Sequence, residues 1–162
     1  MFSQCDNAKS YNSCKLVKTI KGNNKFKYVR KGLKKGVEYK AYVLAYDIIN
    51  GKKATIGKSL ALHSVTNNAS KKFTNPSKIT VKKAKLSVKA GKKVKIKGQK
   101  LVLKKKGKKM LKHCEKFRYQ STNTKIATVS KSGVITGKKA GTCSIYIVAI
   151  NGVSKVVKVT VK

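Results

Sequence analysis

The carboxylates, imidazoles and thiols of this chain are few: Asp6, Glu38, Asp47 and Glu115; His63 and His113; Cys5, Cys14, Cys114 and Cys143. General acid–base chemistry needs such groups within hydrogen-bond reach of one another. Glu38 and Asp47 flank one apolar-alternating stretch, and at strand rise they stand about 30 Å apart. They form no carboxylate pair. His113-Cys114-Glu115 sets three reactive groups in a row, but neighbours in sequence seldom face one another, and the triplet reads as surface at the end of a lysine-rich loop. Calcium needs clustered carboxylates and zinc needs patterned Cys or His; the acids are scattered and the cysteine spacing fits no zinc pattern. No Gly-rich phosphate loop or His-Glu-x-x-His motif is present. An even cysteine number permits a disulfide, with Cys5 and Cys14 able to close a small loop, whereas Cys143 beside an apolar run reads as a core residue. These residues point to a non-catalytic chain without cofactor or metal.

Lysine is what the chain has in excess. Lys and Arg number 41 against 4 Asp and Glu, a net charge of +37, and only Arg30 and Arg118 are arginine. Base-specific readers of DNA lean on the bidentate arginine fork, whereas lysine is a mobile point charge suited to sequence-blind attraction. Solubility alone needs a charge of magnitude about 2–8 in a small domain. The densest run is Lys104, Lys105, Lys106, Lys108 and Lys109, and Lys92, Lys93, Lys95 and Lys97 precede it. These nine are the candidate polyanion-binding residues. The competing explanation is a solvated coat, with lysines on sheet edges blocking aggregation.

Strands must position these groups. Period-2 alternation dominates and sustained helical periodicity is absent. In EYKAYVLAYDII from Glu38, Tyr39, Ala41, Val43 and Ala45 point one way and Lys40, Tyr42, Leu44 and Tyr46 the other. Outward, Tyr42 and Tyr46 would stack sugars or bases; inward, they pack on a neighbouring layer. Asn50-Gly51 predicts a type I′ hairpin, and a second strand is expected from Lys53 to Val65. Residues 67–78 are polar and hold the single proline, Pro76; they read as a linker. Short strands follow at Ile79–Val81, Lys85–Lys89 and Lys93–Lys97, the last with Val94 and Ile96 inward. After a basic loop over 104–113 come Lys116–Ser121, with Phe117 and Tyr119 inward, Ile126–Val129, Val134–Thr136 and Gly141–Ile150. Asn151-Gly152 predicts a second I′ hairpin leading to Val153–Val161. About seven strands at this spacing predict a β-sandwich.

Three stretches carry a resemblance: ITVKKAKLSVKAGKKVKI, YQSTNTKIATVSKSGVITGKKAGTCSI and IVAINGVSKVVKVTVK. Through them residues 79–162 resemble the bacterial immunoglobulin-like domain, group 2, found in surface proteins such as the intimins and invasins. The shared pattern is an aromatic, a polar turn, a Val-Ala-Thr-Val-like strand, Gly-x-Ile-x-Gly and Ala-Gly-Thr; Tyr119 stands where a tryptophan often sits. Residues 15–66 resemble the second half of a fibronectin type III domain through GLKKGVEYKAYVLAY, which implies a corner where Leu33 plugs the core and Tyr39 bonds back to the chain. Only about four strands fit before residue 66, fewer than that fold needs. The expected architecture is all-β, two immunoglobulin-like β-sandwiches in tandem with the first incomplete: 1–66, a linker 67–78, and 79–162.

The resemblance implies a surface, adhesion or spacer module of a secreted bacterial protein, joined to other domains of a longer parent. Residues 1–15 lack the features of a signal peptide, so any export signal lies outside this chain, and no apolar stretch approaches a membrane span. Expected partners are an anionic cell-wall polymer or host glycan, with nucleic acid bound only nonspecifically. The alternatives are a nonspecific nucleic-acid-binding protein and an accessory domain of an exported hydrolase.

Overall fold

β-Branched and aromatic residues, many alternating with lysine, pair into strands along both halves of the described chain, with no α-helix among the described residues. The computed structural model describes residues 2–5, 15–21, 27–68, 70–110 and 114–162, by backbone alone at 2–5, 15–17 and 68. The chain divides into two compact units, Met1–Thr74 and Asn75–Lys162.

Among its described residues the first unit forms one sheet. Its strands are β1 (Phe2–Cys5), β2 (Lys15–Lys18), β3 (Glu38–Ile49), β4 (Lys52–Lys58) and β5 (Leu62–Val65). The order is β2-β1-β3-β4, and β5 also pairs with β3. The Asn50-Gly51 turn forms as its chemistry requires, with φ of 52° and 72° and Ile49 paired to Lys52. The single strand expected over Lys53–Val65 is two strands. Ile56 bulges out where Ala45 pairs with Gly57 and Tyr46 with Thr55. The Ser59 hydroxyl then takes the place of a ladder acceptor, receiving the Val43 N–H at 2.9 Å, and the run breaks. Large apolar side chains of this unit stand exposed, Ile48, Ile49, Ile56, Leu60 and Leu62 among them. Tyr42 and Tyr46 are half-buried, each beneath a lysine of β4: Lys58 Nζ lies 4.4 Å from the Tyr42 ring centre and Lys53 Nζ 5.0 Å from that of Tyr46.

The second unit contains β6 (Pro76–Thr80), β7 (Lys85–Val88), β8 (Lys93–Lys95), β9 (Lys100–Leu103), β10 (Arg118–Ser121), β11 (Ala127–Val129), β12 (Val134–Gly137), β13 (Gly141–Val148) and β14 (Ser154–Val161). They form sheets β10-β13-β14-β7, β11-β12-β8 and β6-β9. One core joins all three, with Ile79, Ile96, Ile135, Ile145, Val157 and Val159 at its centre. The fold is an all-β immunoglobulin-like sandwich. The inward faces read from β13 and β14 hold: Cys143, Ile145, Ile147, Ala149, Val157, Val159 and Val161 are all buried.

Three local readings are corrected. Residues 76–78, assigned to the linker, belong to β6; Pro76 is its first residue, where a missing N–H costs little. Residues 100–103, assigned to no strand, form β9, which exists by its pairing to β6. The Asn151-Gly152 hairpin closes without a type I′ turn: Gly152 has φ 91° but Asn151 is not among the residues with positive φ. The Asn151 side chain is spent elsewhere, donating from Nδ2 to the Pro76 carbonyl at 2.9 Å and so tying the hairpin to β6.

Candidate anion-binding surface and groove

The nine candidate lysines fall into three groups with different surroundings. Lys93 and Lys95 lie on β8, the terminal strand of its sheet, opposite Thr136 and Val134 of β12. Val94 between them turns inward and Lys92, Lys93, Lys95 and Lys97 are exposed. Charge on such an edge discourages pairing with another chain, and this accounts for Lys93 and Lys95 without a ligand, while Lys92 and Lys97 flank the strand and accept the Gly137 and Lys82 N–H groups through their carbonyls. Lys104, Lys105 and Lys106 are exposed on the loop after β9, which protects no sheet edge in this way.

Lys108 and Lys109 are set apart again. Both line an open groove of about 720 Å³ between β9 and the segment leading into β10. Its apolar wall is Leu101, Leu103, Met110 and Phe117, and Gln99 and Glu115 complete the lining. Of the nine lysines only Lys108 is half-buried. Strand alternation puts Gln99, Leu101 and Leu103 on one side of β9. Sequence reading missed them because β9 itself went unassigned; the Leu-Val-Leu run after Gln99 was the available signal.

The conventional reactive groups are dispersed. Glu38 and Asp47 lie near opposite ends of β3. Glu38 reaches diagonally across the β3–β5 ladder to buried His63, whose register partner is Lys40, Oε2 to Nε2 3.6 Å, a pair the sequence did not announce. Asp47 Oδ1 accepts the Ile48 N–H. His113 lies outside the described residues. The surface reading of its neighbour Cys114 is corrected: Cys114 is buried, 5% exposed, while Glu115 is exposed. Cys143 is buried in the core as expected; Cys14 and the Cys5 side chain fall outside the description. Among the described residues no three His, Cys, Asp or Glu side chains gather around a metal-sized space. Likewise, none of their helices is long and apolar enough to cross a membrane.

Behind the groove the family-like motifs acquire physical reasons. Tyr119 Oη accepts a hydrogen bond from Gln99 Nε2 at 3.1 Å, and its ring packs against Gly133, where a Cβ would fall 2.9 Å from Cζ. Burial raises the Tyr119 pKa above its ordinary 10.0, and the Gln99 hydrogen bond partly offsets this. At Gly137 a Cβ would meet the Lys89 carbonyl oxygen at 2.8 Å. The bacterial Ig-like domain (group 2) model matches residues 76–161, more than half of the chain.

The chain belongs to this family.

In this group 2 Ig-like domain, then, Gly133 and Gly137 of the Gly-x-Ile-x-Gly motif are sites of close approach. One admits an aromatic ring and the other a neighbouring backbone. The family is one of non-enzymatic Ig-like modules of extracellular or surface bacterial proteins. No curated protein matches the chain. The family match does not reach residues 15–66, where the fibronectin type III likeness stands as a sequence resemblance. In that segment Tyr39 Oη accepts the Lys34 N–H at 3.2 Å and Leu33 is half-buried.

Proposed function

We propose that the chain is a non-catalytic surface module of a secreted bacterial protein. Its Ig-like domain acts as spacer and adhesion unit for other domains of the parent, and its basic loop grips an anionic cell-wall polymer or host glycan. The family membership supports the module reading. The observation that carries the gripping reading is the position of Lys104, Lys105 and Lys106, exposed on the loop after β9. Lysine ammoniums on flexible stems suit a polymer of repeating negative charge, whose sequence they do not read.

The test is a titration against wall teichoic acid, sulfated glycan, neutral glycan and duplex DNA at about 150 mM salt, where screening acts within about 8 Å. Two variants run beside the parent chain: the loop variant K104Q/K105Q/K106Q/K108Q/K109Q and the strand variant K92Q/K93Q/K95Q/K97Q. The expected result is that one anionic glycan binds best, the loop variant loses it and the strand variant keeps it. Equal weak binding to every polyanion, or none, removes the gripping role and leaves a spacer. Tightest binding to DNA with a steep salt dependence replaces it with nucleic-acid binding.

A further inference from the structure

The second unit is laced together unequally. β9 pairs with β6 and β10 with β13, and no ladder joins β9 to β10 among the described residues. The open groove lies where side chains of β9 and of the approach to β10 face one space. Leu101, Leu103, Met110 and Phe117 give it an apolar wall. Two ammoniums and one carboxylate, from Lys108, Lys109 and Glu115, leave its lining with a surplus of one positive charge. Sites for small molecules commonly enclose about 300–1,000 Å³, are mostly apolar and carry a few convergent polar groups. The groove matches these in volume, in its apolar wall and in its few polar groups, and is open rather than enclosed. Lys108 is half-buried there, unlike the eight other candidate lysines.

We propose that this groove binds a small anionic amphiphile, an alkyl or aryl chain seated on Leu101, Leu103, Met110 and Phe117 with its monoanionic head group between Lys108 and Lys109. Burial of the chain on the apolar wall supplies the affinity. The lysines choose the charge, and Glu115 on the same lining turns away a second negative group. A long polyanion is recognised by many exposed lysines and needs no apolar wall. This inference therefore goes beyond the gripping role and survives its failure.

The test follows methyl resonances of the full chain during titration with decanoate kept below its micellar concentration. Acetate serves as head group alone and octyl glucoside as an uncharged amphiphile. Saturable shifts are expected at the methyls of Leu101, Leu103 and Met110, with none from acetate. Octyl glucoside should bind at least about tenfold more weakly, and K108Q/K109Q should weaken decanoate by at least about tenfold, since both charge-assisted contacts to the head group are lost. Those two side chains lie outside the core, so the variant should melt as the parent does. Leu103→Glu should abolish decanoate binding, and if it fails to fold the lysine variant still decides. The inference is overturned if octyl glucoside binds as well as decanoate, if K108Q/K109Q binds unchanged, or if the shifts appear instead at Val43, Ile49 and Leu62 of the first unit.

Discussion

Along β3 of the first unit residues alternate as regularly as along β13 of the second, yet β3 buries no side chain while β13 buries Cys143, Ile145 and Ile147. Both strands are paired on both edges. The difference lies above and below the sheet. β13 faces a core to which all three sheets of its unit contribute, whereas the first unit is a single sheet whose buried side chains, among those described, are His63, Val65 and Thr74. Pairing satisfies backbone groups, but removal of apolar surface from water needs a second layer. The described residues of the first unit therefore have strands and register without an interior.

This contrast sets the order of expected mutational effects. Ile145→Ala empties a wholly buried site and should cost about 3 kcal/mol, the middle of the range for such truncations. Ile56→Ala removes a side chain that is 67% exposed and should change stability by less than about 0.5 kcal/mol. Denaturant unfolding of each variant checks the pair; equal losses would mean that the first unit has a core after all.

Glycine sharpens the same comparison. Gly137→Ala drives a Cβ to 2.8 Å from the Lys89 carbonyl oxygen, so backbone must move; a loss of about 2 kcal/mol is expected, as for overpacking. At Gly57 of β4 the new Cβ would sit 3.8 Å from that of Ala45, an ordinary contact. Gly57→Ala should gain about 0.5 kcal/mol from reduced freedom of the unfolded chain. Opposite signs in thermal melting would support the contrast, and matching signs would break it.

Two tyrosine hydroxyls give a smaller difference. Tyr119→Phe removes the partner of Gln99 in a partly buried setting and should cost about 1 kcal/mol. Tyr39→Phe removes the acceptor of the Lys34 N–H in an exposed one, where water replaces the lost partner, so about 0.5 kcal/mol or less is expected.

The smallest effect is a pH dependence. Because folding raises the Tyr119 pKa above 10.0, the neutral phenol is the form the fold prefers. Its stabilising contribution is complete below pH 10.0 and is lost as pH rises through the raised value. Melting curves from neutral to strongly alkaline pH should show less alkaline loss in Tyr119→Phe than in the parent; an identical decline would refute the assignment.

Much of the second unit is legible in the sequence. The valines of β14 and the isoleucines of β13 repeat with a period of two, which fixes the strand and the face it buries. Asn50-Gly51 was legible because a type I′ turn is decided by two residues. Asn151-Gly152 has the same dipeptide and a different turn, since Asn151 reaches Pro76, 75 residues away. The short β9 segment carries only the Leu101-Val102-Leu103 run as its own signal, and its pairing with β6 makes it a strand.

By itself, the sequence determined the all-β class, the inward faces of β13 and β14, the Ig-like motifs and the overwhelming positive charge. These depend on side-chain periodicity, turn preferences and composition, which act within a few residues or over the whole chain. Tertiary structure alone decided which alternating strands have something to pack against and why Gly137 must lack a side chain. It also decided that Glu38 meets His63, and that Lys108 shares a groove with Leu101 and Phe117. Each of these is a juxtaposition of residues brought together by sheet pairing and layer packing, and local preference carries no record of it.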